Sequence, residues 1–198
     1  MKVTKAQAKE NRDRIVEVAS VLFRERGFDG IGVADLMAAA GLTHGGFYKH
    51  FKSKADLMAE AAACSFSKTA EQSSNLDVTD FIEKYLSREH RDTPGYGCTM
   101  AALSGDAGRQ PESVKQTFAI GIENILTGLA VNNSALTDIE QQAARADRIA
   151  AISQLVGAIM LSRACPDDSS LADEILEVCR NRFMGGDSER NKKNDDEN

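Results

Sequence analysis

Two histidines, one tyrosine and three lysines fall within residues 44–54, inside the stretch GLTHGGFYKHFKSKADL that runs from Gly41 to Leu57. Donors and cations at this density match what phosphate oxygens and base-pair edges require. His44 and His50 stand six apart rather than four, so they do not share the helix face that a paired metal site needs. Among the donors lie two adjacent glycines, Gly45 and Gly46. Each costs a helix about 1 kcal/mol relative to alanine. A sequence that keeps both uses the missing side chains, as where a backbone approaches a ligand closely.

The elements that must position these groups are legible on either side. Val33, Leu36, Met37 and Ala40 form an apolar stripe at helical spacing, predicting a helix over 33–40. Gly41 stops it, because glycine accepts positive φ without a Cβ clash. Leu42 places an apolar residue inside the turn, and Thr43 is expected to cap a short helix over 43–50 with its hydroxyl. Phe47 and Phe51, four apart, pin one face of that helix to the core. The opposite face offers His44, Gly45, Tyr48 and Lys49 to solvent. Ser53 and Asp56 form a capping-box-like S-x-x-D that starts the next helix, and its N-terminus beside Lys54 suits a phosphate.

The pattern G-L-T-x-G-x-F-Y-x-H-F-x-S-K-x-x-L resembles the DNA-binding domain of TetR-family transcriptional regulators, over about residues 9–60. Beyond that the likeness is one of length and helical pattern. The resemblance implies an all-α fold: an N-terminal three-helix helix-turn-helix domain, then a helical ligand-binding and dimerisation domain, about nine helices in total. It implies base-facing roles for His44, Gly45 and Lys49, and phosphate-holding roles for Tyr48, His50 and Lys54, with Thr43 in either. The expected DNA-binding set is therefore Thr43, His44, Gly45, Gly46, Tyr48, Lys49, His50 and Lys54. The chain departs from the pattern at Gly32, where many members place a Ser or Thr; glycine still caps a helix, but a side-chain contact from there is lost.

The same resemblance implies that the last two helices form a four-helix bundle with a twin. Ile149, Ile152, Ser153, Val156, Gly157 and Met160 on the eighth helix, and Leu171, Ile175 and Val178 on the ninth, are the expected dimer interface. Two heads on a palindrome double the discrimination of one. An effector cavity is expected in the body. Tyr85, Tyr96, Met100, Leu103, Phe118 and Ile122 are its candidate lining, with core packing the competing reading for each. No acid pair or cation stands out there, which points to a neutral, apolar small molecule. The segment GC-x-x-x-x-x-S resembles a branch of the family in which a thiol at this place senses oxidants or electrophiles. This makes Cys98 a candidate redox sensor, with Arg163 as a possible helper; a buried inert thiol is the alternative.

Composition agrees with this division. The chain has 198 residues and a net charge of −6, which alone speaks against nucleic acid. Its distribution reverses the inference: residues 1–54 hold ten of the 24 Lys/Arg but six of the 30 Asp/Glu. A basic head on an acidic body suits a protein that touches DNA at one end. The expected domains are 1–54 for DNA binding, 55–184 for ligand binding and dimerisation, and 185–198 as a disordered tail without apolar residues. No apolar run is long enough to span a membrane and no signal-like stretch opens the chain, so a cytoplasmic, nucleoid-associated location is expected. The four cysteines are widely spaced and should be reduced there.

Along the chain, residues 1–8 read as a loose basic arm and 8–26 as the first helix, with Ile15, Ala19, Leu22 and Phe23 buried. Helices are expected over 54–72, 78–90, 98–108, 111–131 and 137–164, with a ninth capped by Ser170 and Asp173. An enzyme finds no support: there are three histidines, no phosphate-binding glycine loop after a strand, no serine elbow and no metal-spaced cysteine pair. Neither catalytic residues nor a cofactor or metal are implied. A helical protein–protein adaptor that reuses the head without DNA is the alternative reading.

Overall fold

The structure, a computed structural model, describes residues 4–73, 77–129 and 137–195. Among them every regular element is helical. In chain order these are α1 (Lys5–Arg26), α2 (Val33–Ala39), a 3-10 segment (His44–Lys49), α3 (Lys54–Ser73), α4 (Val78–Tyr85), α5 (Arg88–Asp92), a 3-10 turn (Pro94–Tyr96), α6 (Thr99–Ala107), α7 (Glu112–Gly128), α8 (Asp138–Ala164) and α9 (Ser170–Asp195). No helix among them is long and apolar enough to cross a membrane. The chain divides into two compact units, Met1–Glu71 with Pro94–Leu129, and Gln72–Thr93 with Ala130–Asn198.

In the first unit, α1 starts earlier than composition predicts. The Thr4 hydroxyl accepts the Gln7 N–H at 3.2 Å, so residues 5–8 are helix rather than loose arm. Lys2 lies outside the described residues. Ile15, Ala19 and Phe23 are buried as expected, while Leu22 is only half-buried and Ser20 joins the core, donating to the Glu17 carbonyl at 2.7 Å. Aromatic rings tie the helices together. Phe28 meets Phe23 and Phe118 edge-on, with centroids 5.2 and 6.3 Å apart, and Phe66 of α3 meets Phe118 of α7 at 5.3 Å. Gly121 of α7 makes room for the Phe66 ring, since a Cβ there would lie 2.5 Å from its Cδ2.

Two polar clamps fasten the later part of this unit to α1. Arg24 donates through Nε to the Gly95 carbonyl at 2.9 Å, and its buried guanidinium has a pKa below the ordinary value because of desolvation. Asp106 of α6 accepts the Phe28 N–H at 3.0 Å. The preceding Gly27 has φ +76°, and a Cβ on it would come within 2.5 Å of the same carboxylate. Pro111 is the N-cap of α7 rather than its first helical residue, and Cys98 caps α6 in the same backbone sense.

The second unit corrects another expectation. Residues 78–90 do not form one helix. Asp77 caps α4 by accepting the Thr79 N–H at 2.7 Å, but the chain turns at Leu86 (φ −92°, ψ 42°) and the Ser87 hydroxyl caps α5 by accepting the His90 N–H at 3.1 Å. Arg91, only 3% exposed, then closes α5 against α8. It donates to Ser162 Oγ at 3.1 Å, to the Cys165 carbonyl at 3.1 Å and to the carboxylates of Asp167 and Asp92. Such a buried cation is tolerated because each of its three nitrogens finds an acceptor. A complete capping box between Thr137 and Glu140 opens α8, as expected. Leu155, Ala158 and Ile159 of α8 and Ala172 and Leu176 of α9 are buried. Asp173 of α9 pairs with Arg88, which donates to its carboxylate at 2.5 and 3.0 Å. Helix α9 runs past Gly185 to Asp195, where the polar composition predicts a disordered tail.

Candidate nucleic-acid interface

The turn before the 3-10 segment is set by backbone hydrogen bonds. Gly41 adopts φ +69°; its N–H donates to the Ala38 carbonyl at 2.9 Å, and the Leu42 N–H reaches the Met37 carbonyl at 2.8 Å. This is the Schellman pattern, which gives orphan carbonyls of α2 their donors and fixes the exit direction. Leu36 and Met37 are fully buried beneath it.

The recognition segment differs from the α-helix predicted over 43–50. It is a six-residue 3-10 helix, a form favoured in short pieces. Thr43 precedes it in extended backbone, but its hydroxyl makes no cap bond; its carbonyl accepts the Gly46 N–H at 2.9 Å instead. The two aromatic anchors behave as predicted. Phe47 is fully buried, Phe51 nearly so, and their rings stack at 5.5 Å. That anchoring turns Thr43, His44, Gly45, Tyr48 and Lys49 outward, with Tyr48 70% exposed. Gly46 and His50 are half-buried, as is Lys54 at the start of α3. All eight residues expected to meet DNA thus keep exposed surface, along the strip of chain from Thr43 to Lys54.

Gly45 is the informative member of that strip. A Cβ placed on it would meet nothing within 4 Å, and its φ is not positive. Nothing in the free chain requires a glycine there. Gly46 is in ordinary contact with Met37 Cε at 3.6 Å and Thr43 Oγ1 at 3.7 Å. At the far end, the Ser53 hydroxyl accepts the Asp56 N–H at 3.1 Å, while the Asp56 carboxylate reaches back to the Lys52 N–H at 3.0 Å, one residue earlier than a standard box. The His50 ring has a pKa below the ordinary imidazole value, through burial first and then the charges of Arg12 and Lys49.

The other expected sites fare differently. Tyr85 belongs to the second unit, and Tyr96, Met100, Leu103, Phe118 and Ile122 to the first. Met100, Leu103 and Phe118 are buried, Phe118 among the rings of Phe28 and Phe66, whereas Tyr96 is 79% exposed. A surface groove of about 410 Å³ lies on α1 and α3, lined by Arg12, Asp13, Val16, Glu60, Ala63 and Cys64, none of them in the expected lining set. Cys98 is 5% exposed and belongs to the first unit. Arg163 belongs to the second unit, where it donates to the carbonyls of Arg91 and His90 at 2.8 and 2.7 Å. On α8 and α9, Ile149, Ser153, Met160, Leu171 and Val178 are exposed, and Ile152, Val156, Gly157 and Ile175 half-buried. Sequence reasoning missed Arg12, which touches both His50 and the Phe51 ring.

Comparison with known proteins bears on the head. Residues 15–61 match the profile of the family described as bacterial regulatory proteins, tetR family. The chain is 40% identical over 68 residues to the HTH-type transcriptional regulator AcrR of Shigella flexneri, a match covering 34% of this chain and 32% of that protein. It is 46% identical over 50 residues to an HTH-type transcriptional regulator of Staphylococcus aureus strain USA300, covering 25% of this chain and 27% of that one. The matched segment thus spans about a third or less of these curated relatives. Whole-chain likeness is one of fold. The crystal structure of a TetR transcriptional regulator from Legionella pneumophila superposes with a TM-score of 0.68 at 19% identity, covering 94% of this chain and 99% of that one. The reduced form of NemR from E. coli gives 0.65 at 18%, covering 87% and 94%.

Proposed function

We propose that this chain, TetR-like in its head, is a transcriptional regulator that binds a palindromic DNA operator as a homodimer and represses the genes beside it. The observation that carries the reading is the strip from Thr43 to Lys54, turned outward by two buried phenylalanines and holding a glycine the free fold has no use for. His44, Gly45 and Lys49 read base edges in the major groove. Tyr48, His50 and Lys54 hold phosphates, the last at a helix N-terminus.

Dimerisation is supported by the second unit. Ile149, Met160, Leu171 and Val178 leave apolar surface on α8 and α9, and a Cβ on Gly157 would meet nothing within 4 Å. Helices of a second copy would cover that surface. Release follows when a small apolar molecule, or modification of the Cys98 thiol, favours a conformation in which the two heads no longer match the operator spacing. By linkage, operator DNA weakens the effector by the same factor. The protein acts in the cytoplasm, on the nucleoid.

The test is fluorescence anisotropy of the full chain with labelled DNA from upstream of its own gene, at several salt concentrations. Lys54→Ala should weaken all sequences alike and lower the slope of log Kd against log salt by about 1.8, the weight of one phosphate in each of the two heads. Lys49→Ala should change sequence preference instead. No binding to any flanking fragment at low salt would sink the proposal.

A further inference from the structure

Arg12 of α1 reaches the far end of the recognition segment. Its Nε–H donates to the His50 carbonyl at 3.4 Å, its Nη2 pairs with the Glu60 carboxylate of α3, and its guanidinium carbon lies 4.8 Å from the centre of the Phe51 ring. His50 is the residue that closes the 3-10 segment, and Phe51 is the second aromatic anchor. One side chain thus joins three elements at the point where the DNA-facing strip ends.

The segment needs such a hold. Six residues with two glycines cannot keep their own geometry, because short helices are marginal and 3-10 bonds are poorer than α-helical ones. Its last carbonyls have no donors within the segment, and Arg12 supplies one of them. Arginine suits the task because its donors are fixed in one plane. Glu60 anchors the other edge of the fork, so the plane cannot swing away from His50 and Phe51. A free cation on a basic head would be expected to serve phosphate, yet this one already has a carboxylate partner.

We propose that Arg12 is a positioning residue for DNA recognition, holding the His50 carbonyl and the Phe51 ring in a fork set by Glu60 and so fixing how Tyr48 and Lys49 are presented. This rests on the reading of the head as the DNA-binding element.

Glu60→Gln gives the sharpest test, because the two possible roles predict opposite signs. If charge alone matters, removing a carboxylate from the head tightens DNA binding. If Glu60 sets the fork, binding weakens. The full chain is titrated against labelled DNA from upstream of its own gene, alongside Arg12→Lys, which keeps the charge and loses the plane. Glu60→Gln should weaken binding about fivefold, in keeping with a half-exposed pair counted in both heads of a dimer. Arg12→Lys should weaken it at least as much with the wild-type salt slope, and the double variant should be no worse than Arg12→Lys alone. Circular dichroism melts accompany each variant; if Arg12→Lys melts too low to assay, Glu60→Gln decides between the two roles. Unchanged or tighter binding by Glu60→Gln would overturn the proposal and leave Arg12 acting on DNA through its charge alone. Should the wild type bind no fragment, this inference and the DNA reading fall together; if the wild type binds and Glu60→Gln does not weaken it, this inference alone falls.

Discussion

Gly45→Ala separates folding from recognition in a single methyl group. In the free chain the new Cβ meets nothing within 4 Å and the backbone has no positive φ to strain. The folded state therefore loses nothing, while the unfolded chain loses freedom, which stabilises by about 0.4–1 kcal/mol. For a chain of this size that raises Tm by about 1–4 °C. On the proposed reading, the methyl would lie where the backbone comes against base edges. Crowding a packed surface by one carbon costs about 1 kcal/mol at the low end. Two heads in one complex double it, so the operator is bound about 30-fold more weakly. A thermal melt and an anisotropy titration on the same preparation read both effects. A raised Tm with unchanged affinity would show that Gly45 does not lie against DNA, and a lowered Tm would refute the local geometry itself.

Gly121→Ala should behave in the opposite way: its Cβ would sit 2.5 Å from the buried Phe66 ring, itself backed by Phe118, so stability falls by about 1–3 kcal/mol in a melt. Val178→Lys, at a position 57% exposed, should leave the melt of the single chain nearly unchanged but convert dimer to monomer in sedimentation velocity. His90 has a lowered pKa, through burial first, opposed by its 2.6 Å bond to the Tyr85 carbonyl and aided by the charge of Arg163. The unfolded chain therefore takes up the proton first, and stability, full above about pH 6.5, declines as pH falls below that value. His50 shifts the same way. In denaturant titrations across that range, His90→Asn should shrink the decline without abolishing it.

The parts legible in the sequence were those fixed by neighbours in the chain. Gly41 announces its Schellman turn, Thr137 and Glu140 their capping box, and Phe47 and Phe51 the buried face of the recognition segment. The 3-10 form of that segment was hidden, because composition shows two glycines without showing how tightly six residues must wind. The break at Leu86 was hidden as well, since no glycine or proline marks it and Ser87 is an ordinary polar residue until its hydroxyl finds the His90 amide. Arg12 was indistinguishable from Arg14, two residues on; what separates them is 48 residues away at Glu60. Tyr96, a candidate for the cavity lining, is 79% exposed, and nothing near it in the chain announces that.

The clamps of Arg24 on Gly95 and Asp106 on Phe28 bear on how such regulators can be recombined. The family profile matches residues 15–61, which invites a chimaera cut just beyond them. A graft made there would strip Phe28 of the carboxylate on its amide and of the Phe118 ring against its side chain. The transplantable cassette is therefore discontinuous: it must carry 94–129 along with the reading head.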